Sequence, residues 1–220
     1  MDKLELIDII RNEAISLGLN PDNYTAALYS TAGEESSFDP TARQVLSSTA
    51  SQEAKNLRVS QSDDEFLSST IRGKGFGLFQ LDGISKNGFY NWTKENNLNP
   101  NSPEAQVRFL LLDSTGNLDT KYNGGSFLGT TNAKNLASTM ENITPEKAAI
   151  EFRGKYIKPQ VFDAAEQQQQ LSHLLDLKKV IDNLEYTGEV VVNPDNNPDN
   201  NLPDVDPTNE LTPEATDTSN

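Results

Sequence analysis

The chain has 220 residues, with 33 acidic and 18 basic side chains, a net charge of −15, one histidine and no cysteine. That balance argues against nucleic acid, whose phosphates demand a basic face. The missing cysteines exclude disulfides and thiolate metal sites, and no apolar run approaches the length needed to cross a bilayer.

The acidity is uneven. From Gly188 onward there are eight Asp or Glu residues and no Lys or Arg, with apolar residues too sparse to offset the entropy of ordering. Removing that stretch leaves 25 acidic against 18 basic residues and a charge of −7. The expectation is one domain over residues 1–185, large enough to bury a core, followed by an acidic disordered tail over 186–220. The opening residues, Met1 to Asp8, lack the basic start and long apolar run of a signal peptide.

Along the chain, Leu4, Leu6, Ile7, Ile9, Ile10, Ala14, Ile15 and Leu17 recur at helical spacing, closed by Gly18 and Asn20-Pro21. Asp22 or Asn23 can cap a second helix running through Tyr24, Ala26, Ala27, Leu28, Thr31 and Ala32 into Glu34-Glu35. Pro40 cannot continue it, so Glu35 falls near the end of a buried helix. Residues 41–75 are polar and predict short helices with a loop or small hairpin. Ser102-Pro103-Glu104 opens a core helix by Ser cap and Pro at the first position, and Thr144-Pro145-Glu146 repeats that logic. Asn132–Met140 predicts a short helix, and Asp163–Leu184 a long one. Strand signals are few, so the fold class is mostly α, with at most a small β element.

Two short strings carry the chemistry: Glu35-Ser36-Ser37-Phe38-Asp39-Pro40 and Gly77-Leu78-Phe79-Gln80. A side chain that acts as a general acid must still hold a proton near neutral pH. An apolar cleft wall favours the neutral form of a carboxyl group. Neighbours on a helix point about 100° apart, so only one of Glu34 and Glu35 should face a cleft. Read alone, Glu34-Glu35 is a solvated acidic pair near a helix end.

The order Glu-Ser-x-Phe-x-Pro then Gly-Leu-x-Gln resembles the phage tail lysozyme family and, more distantly, soluble lytic transglycosylases and goose-type lysozymes. Glu104 to Leu110 and Ile143 to Pro159 resemble later segments of tail lysozymes, with Ile157 where that family usually has Glu. Leu81 stands where the family usually carries an aromatic.

The resemblance implies an α+β lysozyme-like fold that cleaves peptidoglycan glycan strands between N-acetylmuramic acid and N-acetylglucosamine. Glu35 is then the general acid. Gln80, Phe79, Asp82, Ser36, Tyr122 and Asn123 are the implied substrate-binding residues, Tyr122-Asn123 because they resemble a transglycosylase motif. Tyr122-Asn123-Gly124-Gly125 reads equally well as turn chemistry. The resemblance further implies location in the virion, other virion or tail proteins as partners, and genome entry as the occasion. Neither membrane nor nucleic acid is an expected partner, and no cofactor or metal is expected.

Asp39, Asp82 and the acids of the polar insertion (Asp63, Asp64, Glu65) remain open as a second carboxylate. A lytic transglycosylase would need none, and a silent structural virion protein with this fold is the alternative outside enzymes. Trp92 reads as core, and His173 as a solvated residue of the late helix.

Overall fold

The computed structural model describes residues 1–43, 62–70, 75–122, 130–157 and 163–187. Among them lie eight α-helices and no strand: α1 (Lys3–Ser16), α2 (Pro21–Ser36), α3 (Asp63–Ser68), α4 (Gly83–Glu95), α5 (Pro103–Ser114), α6 (Thr130–Met140), α7 (Pro145–Phe152) and α8 (Ala164–Thr187). A π-helical turn, Arg153–Ile157, extends α7. Much of the expected hairpin or loop insertion (residues 44–61 and 71–74) and all of 188–220 lie outside the described residues. The β element that is described consists of isolated bridges, Arg43 to Phe76 and Phe76 to Leu81.

Helix α2 is the axis of the fold. Its start differs from the expected Asp22 or Asn23 cap. Asn20 is the N-cap, its side chain accepting from the Asp22 and Asn23 amides at 3.1 Å, and Pro21 takes the first helical position. Proline's missing N–H costs nothing there, which fixes the start two or three residues earlier. Asn23 instead turns inward and donates to the Met140 and Ile143 carbonyls, tying α2 to the α6–α7 junction.

From Asn23 to Gly33 every residue of α2 is buried. A helix buried all round needs small side chains where neighbours approach, and Ala26, Ala27, Ser30, Ala32 and Gly33 supply them against α1, α7 and α8. The buried hydroxyls of Ser30 and Thr31 donate back to the Ala26 and Ala27 carbonyls, so neither is stranded.

Around this axis α1 contributes the stripe Leu6, Ile7, Ile10 and Ala14, while Ile15 falls off it and is 59% exposed. Helix α5 begins as its sequence predicts, with Ser102 accepting from Ala105 N and Pro103 following. Thr144 occupies the same place before α7 but makes no side-chain cap bond, which leaves Pro145 to set that start. Phe66, Phe76, Phe89, Trp92 and Phe109 form an aromatic cluster between α3, α4 and α5, with Phe89 and Trp92 centred 5.2 and 5.6 Å from Phe109. Trp92 is a core residue, as its sequence context suggests.

Candidate active site

The chain reverses sharply just beyond Glu35. Ser37 and Phe38 both adopt left-handed backbone (φ 53° and 65°), a conformation costing a non-glycine residue roughly 1–2 kcal/mol. Burial of the Phe38 ring offsets that cost: it lies 4.8 Å from Tyr29, centroid to centroid, with the His173 ring edge-on at 6.2 Å. The turn ends α2 at Ser36 and brings Pro40 toward α5.

One side chain then locks two segments together. Gln106, fully buried on α5, donates through Nε2 to the carbonyls of Pro40 and Pro100 (2.8 Å each) and accepts from Leu78 N (2.8 Å). Gly77 (φ 74°) passes so close to this amide that a Cβ there would lie 2.4 Å from its Oε1. The glycine is therefore required both for its dihedral and for the approach. Phe76 and Leu81 exchange two backbone hydrogen bonds of 3.0 Å, closing the turn. Thus α5 holds the Gly77–Gln80 turn beside the end of α2.

The resulting pocket, about 220 Å³, is lined by Glu35, Phe79, Gln80, Leu81, Asp82, Leu110, Tyr156 and Ile157. Of the residues singled out in the sequence, Glu35, Phe79, Gln80 and Asp82 meet here. Gln80 is engaged by backbone, its Nε2 donating to the carbonyls of Gly77 (2.9 Å) and Ala42 (3.4 Å). Asp82 caps α4, its Oδ1 accepting from Gly83 N at 2.6 Å.

Ser36 is not among the lining residues; its hydroxyl donates to Ala32 O. Tyr122 lies over α4, where a Cβ on Gly88 would fall 1.8 Å from its carbonyl oxygen, and its hydroxyl donates to Glu95. Asn123 lies outside the described residues. Among the other carboxylates, Asp39 closes a local turn onto Thr41, Asp64 accepts from Tyr90, and Glu65 completes a capping box with Ser62.

The two adjacent glutamates diverge as helical geometry requires. Glu34 faces α8, where His173 Nε2 lies 2.8 Å from its Oε1. The solvated reading of His173 is thereby corrected: the ring packs so tightly on Gly33 that a Cβ there would sit 2.7 Å from it. An isolated polar helix gave no sign of this, because the packing comes from the glycine on α2. Glu35 faces the pocket and pairs with Arg153, Oε1 to Nη1 at 2.7 Å.

Nothing in the sequence singles out Arg153, which lies within the Ile143 to Pro159 segment. It belongs to the π-turn, a widened turn often found at functional sites. In the same turn the buried Tyr156 donates a hydrogen bond to Asp113 on α5. Burial pushes the Asp113 carboxyl above its ordinary value, partly opposed by the Tyr156 hydroxyl. Its other oxygen has no hydrogen-bond partner. No cluster of acidic or histidine side chains suited to a metal occurs among the described residues, and no helix among them is long and apolar enough to cross a membrane.

A larger cavity, about 660 Å³, lies at the other end of α2, lined chiefly by Ala26, Pro145, Leu171, Leu174, Leu177 and Ile181. Its lining is mostly apolar, joined by Thr25, Gln168, Ser172 and the charged Arg11, Asp22, Glu146 and Lys178; the strings singled out in the sequence meet at the smaller pocket instead.

The mostly helical fold delivers one glutamate into a pocket walled by Phe79, Leu110 and Tyr156. The phage tail lysozyme family matches residues 8–172, and the chain belongs to that family. Membership implies lysozyme-like peptidoglycan cleavage, by a glycoside hydrolase or lytic transglycosylase, and association with a virion. No curated protein matches the chain. The matched segment includes all of α2, the Gly77–Gln80 turn and the π-turn, while residues 173–187 of α8 lie beyond it.

Proposed function

We propose that this chain cuts peptidoglycan glycan strands between N-acetylmuramic acid and N-acetylglucosamine, with Glu35 as general acid. The observation that carries this reading is the convergence of Glu35 with the Phe79–Asp82 segment in one pocket, braced by Gln106. At about 220 Å³ the pocket is smaller than the usual site for a drug-sized ligand. It suits a single sugar unit, the rest of the strand running outside.

Glu35 gives its proton to the glycosidic oxygen as the bond to the anomeric carbon breaks. Phe79 and Leu110 exclude water from that step, and Gln80 stiffens the turn. The enzyme acts aboard the virion, opening the wall during genome entry.

The carboxylates lining the pocket are Glu35 and Asp82, and one oxygen of Asp82 is already held by the α4 amide. That engagement favours a second reading of the outcome, lytic transglycosylation. There the muramic acid's own hydroxyl attacks, and no second carboxylate need activate water.

Zymography on purified sacculi tests the acid. Wild type clears and Glu35→Gln does not; clearing that survives in the variant removes Glu35 from the mechanism. A wild type that clears no wall type supports a structural virion role instead. Mass spectrometry of released muropeptides separates the two outcomes, anhydromuramic ends marking transglycosylation and reducing ends hydrolysis.

A further inference from the structure

The guanidinium that holds Glu35 is shared. Arg153 Nη1 lies 2.7 Å from Glu35 Oε1, and Nη2 lies 3.7 Å from Glu166 Oε2 on α8. The three side chains form a gradient of exposure: Arg153 at 7%, Glu35 at 23% and Glu166 at 38%. The Nε of Arg153 is buried and makes no hydrogen bond. The guanidinium is therefore held through its two terminal nitrogens, one toward each carboxylate.

The pairing poses a chemical problem. A carboxylate in a close ion pair has no proton to give, so the contact must open before a glycosidic oxygen can be protonated. A cation this buried has no low-cost route into bulk water, and Glu166 already stands beside its other arm. The remaining charged groups nearby are engaged elsewhere. Glu34 and His173 hold each other, and Asp82 caps α4. Asp113 is joined to Tyr156 through one oxygen, its other oxygen lacking a hydrogen-bond partner, and Lys155 pairs with Glu151.

We infer that Arg153 is a positioning residue that holds Glu35 while the pocket is empty and passes to Glu166 when glycan fills it. The inference rests on the reading of Glu35 as the acid. When Arg153 departs, Glu35 takes a proton from solvent, then delivers it to the leaving oxygen as the C–O bond breaks. The carboxylate left behind draws Arg153 back. The exchange stays inside the protein and needs no unfolding of α8.

Glu166 is the most exposed member of the trio, so Glu166→Gln preserves the fold and removes only the second partner. With defined glycan oligomers, kcat of Glu166→Gln falls about tenfold while KM stays within about twofold, the pattern of an interaction used after binding. Glu166→Asp, which keeps the charge, recovers part of the loss. A merely structural Glu166 would instead move KM and the melting temperature and leave kcat in place; that result, or an unchanged kcat, overturns the exchange.

A second measurement needs no activity. A double-mutant cycle of urea unfolding with Glu35→Gln and Arg153→Met reports the coupling between those positions. Repeated in the Glu166→Gln background, the coupling is larger, because Arg153 then has a single acidic partner. Equal coupling in both backgrounds overturns the sharing. Clearing that persists in Glu35→Gln, or an inactive wild type, would refute the acid assignment instead, and the cycle would still decide whether Arg153 is shared.

Discussion

The two ends of α2 carry cavities of opposite character. At its N-terminal end a groove of about 660 Å³ is walled by leucines and isoleucine from α8; at its C-terminal end a pocket of about 220 Å³ holds Glu35. The larger cavity is a consequence of packing a long amphipathic helix across a buried one. The smaller is built by an uncommon backbone reversal, a glycine in left-handed geometry, a π-turn and a buried amide making three hydrogen bonds. Strained backbone that packing over-determines is where function concentrates, and here it gathers at the smaller site.

The sharpest way to break this comparison is to substitute one residue at each end. Glu35→Gln should lower turnover of purified sacculi by about 10²–10⁴-fold, the usual worth of a positioned acid. Leu175→Ser, at a 64% exposed lining residue of the larger groove, should leave turnover and melting temperature where they are, as for most surface changes. Turbidity clearing and a thermal melt on both variants decide it. Equal losses at the two ends would mean that the groove takes part in the reaction.

Gly77→Ala should destabilise the Glu35 end by about 1–2 kcal/mol from the left-handed dihedral alone, with more from displacing Gln106. In a protein of this size that is a fall in melting temperature of several degrees. Differential scanning calorimetry measures it; a variant that melts with wild type would show the turn to be loosely held.

A smaller effect separates two aspartates by the sign of their pH response. Burial raises the Asp113 carboxyl above its ordinary value of 3.8. The folded state then holds a proton that the unfolded state has lost, so stability falls as pH rises from about that value to the raised one. Asp113→Asn should flatten this slope while keeping an oxygen for Tyr156.

Asp176 responds in the opposite direction. Its hydrogen bond from Lys3, supported by Tyr29, holds the carboxyl low. Its contribution is present above its ordinary value of 3.8 and lost as pH falls through the lowered one. Because the Lys3–Asp176 pair is substantially exposed, Lys3→Met should cost less than about 1 kcal/mol. Melting temperature against pH for the two variants checks both signs.

Much of this was legible in the sequence because it depends on local rules. Ser102-Pro103 marks a helix start wherever it occurs, and Pro40 ends one. The alternation of Glu34 and Glu35 between two faces follows from 3.6 residues per turn. Glu35, Phe79, Gln80 and Asp82 converge as their motifs suggested, whereas Tyr122 and Ser36 do not line the pocket. Tyr122 shows the limit of a short motif: Tyr-Asn-Gly-Gly fixes a turn, not what the turn faces. Asn20 displaced Asp22 as the cap because one side chain could serve two amides with Pro21 behind it.

The rest required the chain to be folded. His173 has polar neighbours in sequence and finds Gly33 only across an interhelical contact separated by 140 positions. Arg153 resembles any surface cation until a π-turn and a second helix place it between Glu35 and Glu166. Sequence by itself determined most of the helices, the buried axis and the divergence of Glu34 from Glu35, because period, caps and breakers act within a few residues. Tertiary structure alone decided what Glu35 touches, because its partner Arg153 comes from a segment more than one hundred residues away.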